Sequence, residues 1–178
     1  MKNDIKYLKY LFKHKWYVAK ECFKRGLYWQ GIIHDLSKFL PSEYFAYRDY
    51  FYNNPENDEN YKSLNKVLNR SFTEELSLLI YKAKIKRIKD NFDYAWCYHQ
   101  KRNKHHFQYF LLKNDDGTLR PLEMPIKYRK ETLSDWAGCS YALKGFDNTL
   151  NWYTENRKKM IIAPETREWL EKEIGFKL

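Results

Sequence analysis

Apolar residues recur every three or four positions at the start of the chain, at Ile5, Leu8, Leu11, Phe12, Trp16, Ala19 and Phe23, which is the period of an amphipathic helix. Gly26 is a natural stop for it, and His14 falls near its middle. The next helix is expected to include Gly31-Ile32-Ile33-His34-Asp35-Leu36-Ser37-Lys38. Pro41 then either kinks that helix or opens a new one at its first turn, ahead of Tyr44, Phe45, Tyr47 and Phe51. The stretch from Asn53 to Asp58 reads as a polar loop. Ser71 with Glu74 three residues on reads as a capping box before Leu76, Leu79 and Ile80. A break is expected near Asn91, after which Phe92, Ala95, Trp96 and His99 resume helical spacing and place His99 at a helix end.

β-structure is suggested only around residues 107–122, where Tyr109, Phe110 and Leu111 lead into the turn residues Asn114-Asp115-Asp116-Gly117. After Pro121 and Pro125 a helix should carry Leu133, Asp135, Trp136, Ala137 and Tyr141, and the tail supplies two more, Asp147 to Lys159 and Pro164 to Ile174. The pattern predicts an all-α helical bundle, one domain over residues 1–178, with at most a short β-hairpin or irregular loop at residues 107–122.

Composition changes this picture in three ways. The 16 Tyr, 11 Phe and 6 Trp predict an aromatic core, with Trp16, Trp96 and Trp136 expected in its packing. A formal charge of +10 favours anionic partners such as nucleotides or nucleic acid. Cys22, Cys97 and Cys139 are widely spaced and form no C-x-x-C pair, which argues against a disulfide framework or a zinc ribbon and for a reducing compartment. With no signal-like segment and no apolar stretch of membrane-spanning length, a cytoplasmic protein with no membrane partner is expected.

The candidate chemistry begins at His34-Asp35-Leu36-Ser37-Lys38. If this segment is helical, Lys38 lies beside both Asp35 and His34, and one patch offers two metal ligands and a cation. The competing reading is a helix end with a solvated acid and a satisfied core histidine. The histidines are His14, His34, His99, His105 and His106, and Asp35 and Asp135 are acids with apolar or aromatic neighbours.

The order His14, His34-Asp35, His99, His105-His106, Asp135 resembles the HD-domain superfamily of metal-dependent phosphohydrolases, a helical fold with an H…HD…D ligand set. Its two-metal members continue the motif as HD-x-x-K, where Lys38 stands here, and carry a histidine pair after a single histidine; the GYP segment of the cyclic-di-GMP enzymes is absent. A closer likeness is to small uncharacterised HD-type proteins of phages and bacteria. It rests on His14-Lys15-Trp16-Tyr17-Val18, His34-Asp35-Leu36-Ser37-Lys38-Phe39, Ala95-Trp96 with His99, Asn103 with His105-His106, Ser134-Asp135-Trp136 and Trp152-Tyr153.

The resemblance implies that His14, His34, Asp35 and Asp135 ligate a first divalent ion, and that Asp35 bridges to a second held by His99 and His105. Mn, Fe, Co or Zn would suit such ligands. It implies Lys38 as a contact to a phosphate oxygen, and leaves His106 to orient a ligand, touch substrate or bind metal. The implied function is a metal-dependent phosphohydrolase, a nucleotidase or phosphodiesterase acting on a nucleotide or other small phosphate ester. Two rivals stand beside it: an HD-fold diiron oxygenase, since the same donor set serves both chemistries, and a non-enzymatic nucleic-acid or nucleotide-binding protein, supported by the positive charge and the aromatic content.

Overall fold

The structure, a computed structural model, describes residues 2–67 and 69–177. Among these residues the chain forms eight α-helices and one two-stranded antiparallel sheet, so the all-α reading with a short hairpin holds. The helices are α1 (Lys2–Lys24), α2 (Tyr28–Ile33), α3 (Pro41–Tyr52), α4 (Glu59–Lys66), α5 (Phe72–Arg102), α6 (Ile126–Lys144), α7 (Thr149–Asn156) and α8 (Pro164–Glu173). No helix among the described residues is long and apolar enough to cross a membrane. The chain divides into two compact units, one of residues 1–7 and 37–99 and the other of residues 8–36 and 100–178.

In the first unit, α3 opens on Pro41, whose fixed φ and missing N–H suit the first helical turn. Asp58 caps α4 by accepting a bond from the Asn60 amide at 2.8 Å. The expected capping box starts α5: the Glu74 carboxylate accepts from the Ser71 amide at 2.8 Å, and Ser71 Oγ accepts from the Glu74 amide at 3.4 Å. Helix α5 then runs through Asn91 without the expected break. One asparagine costs a helix only a fraction of a kcal/mol (about 0.5), and neither Gly nor Pro stands near to end it. Tyr50 stacks on Phe92 with ring centroids 3.9 Å apart, joining α3 to α5, and Asp4 pairs with Arg48 at 2.7 Å.

In the second unit, α1 ends ahead of Gly26, whose φ of +73° favours a residue without a side chain. Its buried face differs from the one that the bulky residues mark. Leu11, His14, Val18 and Cys22 are buried, at helical spacings of three and four, whereas Phe12, Trp16 and Phe23 are exposed; Trp16, at 65% exposed, is not a core residue. A face with a histidine at its centre is buried at tolerable cost only when that histidine meets polar partners, and the site below supplies them. The hairpin pairs β1 (Leu111–Lys113) with β2 (Leu119–Pro121), with Leu112 opposite Arg120. Leu133, Tyr153, Met160, Ile162 and Leu170 form a core cluster that α6, α7 and α8 share, with Trp136 and Trp169 packed against it. Pro164 opens α8.

Candidate metal centre

Helix α2 stops at Ile33, so the expected helical face joining His34, Asp35 and Lys38 does not form. His34 leaves the helix at φ −49°, ψ 129°, and Asp35 takes φ +54°, the left-handed region that aspartate tolerates better than most residues. A 3-10 turn from Leu36 to Phe39 follows. This sharp turn withdraws the Asp35 side chain from solvent, to 2% exposed, where an uninterrupted helix would have rotated it about 100° from His34. Lys15 of α1 holds the turn from outside: its ammonium donates to the carbonyl of His34 at 2.6 Å and to that of Ile32 at 3.2 Å.

Helices α1 and α6 bring the other two ligand candidates to this turn. Gly138 on α6 lies against Val18 on α1 so closely that a Cβ there would stand 2.8 Å from the Val18 amide nitrogen and 3.0 Å from its Cα. His14 is four residues before Val18, and Asp135 three before Gly138, so both lie one turn from this contact on the facing sides.

The four donors then converge. His14 Nε2 is 3.4 Å from Asp35 Oδ2 and 3.3 Å from Asp135 Oδ1. His34 Nε2 is 3.5 Å from Asp35 Oδ2 and 3.2 Å from Asp135 Oδ1. Donor atoms about 2.0–2.2 Å from a tetrahedral ion stand about 3.3–3.6 Å from one another, so these four separations are compatible with donors around one ion. Imidazole nitrogen and carboxylate oxygen are ligands for Zn, Mn, Fe or Co. His14, His34, Asp35 and Asp135 could therefore hold a metal ion.

Glu131, which nothing in the sequence pattern singles out, organises the back of the site. Its Oε1 lies 3.3 Å from His34 Nδ1 and 3.4 Å from His105 Nδ1. A carboxylate receiving the Nδ1–H fixes the ring and turns Nε2 to the metal, and here one glutamate does so for two histidines. The available signal was spacing: Glu131 precedes Asp135 by one turn on α6. His105 Nε2 in turn reaches Asp35 Oδ1 at 3.5 Å, so each oxygen of Asp35 faces imidazole nitrogen. The loop carrying His105 is tied to α6 by Thr132, whose hydroxyl donates to the His105 carbonyl at 2.5 Å. His106 sits beside it, ring centroids 4.1 Å apart, and its donor lies within 4.8 Å of those of Asp35 and His105.

His99 and Lys38 belong to the first unit. His99 Nδ1 donates to Glu43 Oε2 at 2.8 Å, and Ser37 donates to the same oxygen at 2.8 Å. The histidine–carboxylate pairing thus recurs, again with a glutamate that the sequence did not mark. Trp96 stacks on the His99 ring at 5.8 Å. The Lys38 ammonium lies 5.6 Å from the centre of the Tyr47 ring.

The electrostatics of the second-unit cluster follow from its burial. Burial alone would lower the His34 pKa, yet the charge of Asp35 and the bonds to Asp135 and Glu131 raise it from 6.5 to about 9. Burial would raise Asp135, but His14 and His34 hold it well below the usual carboxylate value. Glu131 is likewise held down against burial, by His105 and His34, and burial with the neighbouring His34 charge lowers His105. Three acids gathered out of water need positive charge among them. Proton or metal can supply it.

Fold and site together define an all-α protein with a buried histidine–carboxylate cluster able to hold a metal ion. The chain belongs to the DUF5662 family, a family of unknown function, whose model matches residues 3–175. No curated protein and no solved structure matches the chain.

Proposed function

We propose that this protein is a divalent-metal-dependent phosphohydrolase acting on a nucleotide or another small phosphate ester. The observation that carries the reading is the convergence of His14, His34, Asp35 and Asp135, whose histidine nitrogens and aspartate oxygens lie 3.2–3.5 Å apart. The H…HD…D order of these residues, which resembles the HD superfamily, supplies the chemistry. A divalent ion held there furnishes an activated water and positive charge next to the phosphorus.

Asp35 is suited to bridge to a second ion, because its Oδ2 faces His14 and His34 while its Oδ1 faces His105. His105 is the second ion's ligand in this reading. Glu131 orients His34 and His105. Lys38 is assigned to a phosphate oxygen and His106 to the substrate side of the site.

The test is hydrolysis across a panel of nucleotides and phosphate mono- and diesters, read as phosphate release from monoesters and as conversion of diesters to monoesters, using protein purified without chelator and loaded with Mn, Co or Fe, with His14→Ala alongside. Turnover that chelator abolishes and His14→Ala removes is the expected result. No hydrolysis of any monoester or diester by fully loaded protein overturns it. An iron-specific, oxygen-consuming reaction would transfer the site to the oxygenase class.

A further inference from the structure

A cavity of about 240 Å³ opens in the second unit on the Glu131 side of the cluster. Its inner wall holds His34, His105 and Glu131, and the rest of its lining includes Arg102, Lys104 and Lys127. His14, Asp35 and Asp135 take no part in the lining. Glu131, which meets the Nδ1 atoms of His34 and His105, is thus part of the cavity wall.

Two features point to an anion as its occupant. Three cationic side chains line it against one carboxylate, and that carboxylate is buried against two imidazoles. Lys104 and Lys127, from different elements, both place their ammonium groups over the same ring, 5.8 Å and 5.7 Å from the centre of Tyr128. The ring face favours each cation, Lys104 also lies 5.5 Å from the centre of the Tyr109 ring, and an anion in the cavity gains charge-assisted hydrogen bonds from such donors. The volume lies below the ~300–1,000 Å³ of pockets for drug-sized ligands, which suits one or two phosphate groups. Exposed Trp29 at the mouth offers a flat face to whatever the phosphates carry.

We propose that this cavity is an anion-binding site, adjoining the metal centre through His34 and His105, for a phosphate or diphosphate group. The site goes beyond the phosphohydrolase reading and does not depend on it, because binding there requires no turnover.

The experiment is calorimetric titration of the purified protein with inorganic pyrophosphate and with adenosine diphosphate. Wild type is compared with Lys104→Gln/Lys127→Gln, with His14→Ala, and with Lys82→Gln/Lys86→Gln as a charge-matched control. Saturable binding that weakens about tenfold or more in Lys104→Gln/Lys127→Gln, as expected when charged hydrogen bonds to phosphate are lost, and that survives both His14→Ala and the control supports the site. Tighter binding of adenosine diphosphate identifies a nucleotide as the ligand, and tighter binding of pyrophosphate a free phosphate anion. The proposal is overturned if binding vanishes in His14→Ala, which would place the anion on the metal. It is equally overturned if the control pair weakens binding as much, or if an unphosphorylated RNA oligomer binds through these lysines while pyrophosphate does not. Failure of the phosphohydrolase reading shows separately, as absent hydrolysis of mono- and diesters with pyrophosphate binding intact.

Discussion

His14 Nε2 stands 3.3 Å from Asp135 Oδ1, one helical turn from the point where Gly138 lies against Val18. The two ligand candidates meet because α1 and α6 approach to backbone contact there, and only a residue without a side chain permits that.

Gly138→Ala therefore tests the architecture of the site without touching a ligand. In an ordinary helix interior this change stabilises by about 1 kcal/mol. Here the methyl group meets the Val18 backbone, and a loss of about 1–3 kcal/mol is expected from overpacking, together with a drop in bound metal. Urea denaturation and elemental analysis check both. A stabilised variant with full metal content would show that the close approach is not needed.

Asp35 combines a candidate ligand side chain with a left-handed backbone, φ +54°. Asp35→Asn keeps a residue that accepts this conformation, whereas Asp35→Ala does not. Both should lose metal. In metal-free protein the alanine variant should be less stable than the asparagine variant by about 1 kcal/mol. Equal stability in urea melts would mean that the turn relaxes.

Glu131 touches both His34 Nδ1 and His105 Nδ1. Glu131→Gln should weaken metal affinity by about 10–100-fold, the usual effect of losing a group that orients a ligand. Saturating metal should still fill the site. Asp135→Asn, which removes a donor itself, should not recover on saturation. Competition with a chromophoric chelator separates the two.

Glu171 carries a pH prediction distant from the cluster. Tyr153 donates to its Oε1 at 2.8 Å, and Arg157 to the same oxygen at 2.9 and 3.1 Å. Burial would raise this carboxyl, but Tyr153, Arg157 and Arg167 outweigh it and hold it below its ordinary 4.5. A folded value below the unfolded one gives stability that is present above pH ~4.5 and fades as pH falls through the lowered value. Glu171→Gln should lower Tm near neutral pH and flatten its decline in acid. Parallel acid profiles for variant and wild type would remove Glu171 from the account.

Most of the helices, their proline and capping-box starts and the hairpin near residue 114 were legible because each depends on residues close in sequence; α4 (Glu59–Lys66), polar and without a buried residue, was not. The same holds for the identity of His14, His34, Asp35 and Asp135: residue type and order suffice to nominate ligands. Local pattern erred at Asn91, where a weak propensity yields to a long helix, and at His34-Asp35, where a left-handed residue replaces the helical turn. Which face of α1 is buried was beyond it as well. Phe12 and Trp16 are the bulkier residues, yet His14 and Val18 are the buried ones, because Asp135 and Gly138 stand opposite them on α6, more than 100 residues along the chain. Glu131, Glu43 and the lysine-lined cavity belong to the same class: periodicity records what one segment can bury, and only tertiary packing decides which distant residue faces it.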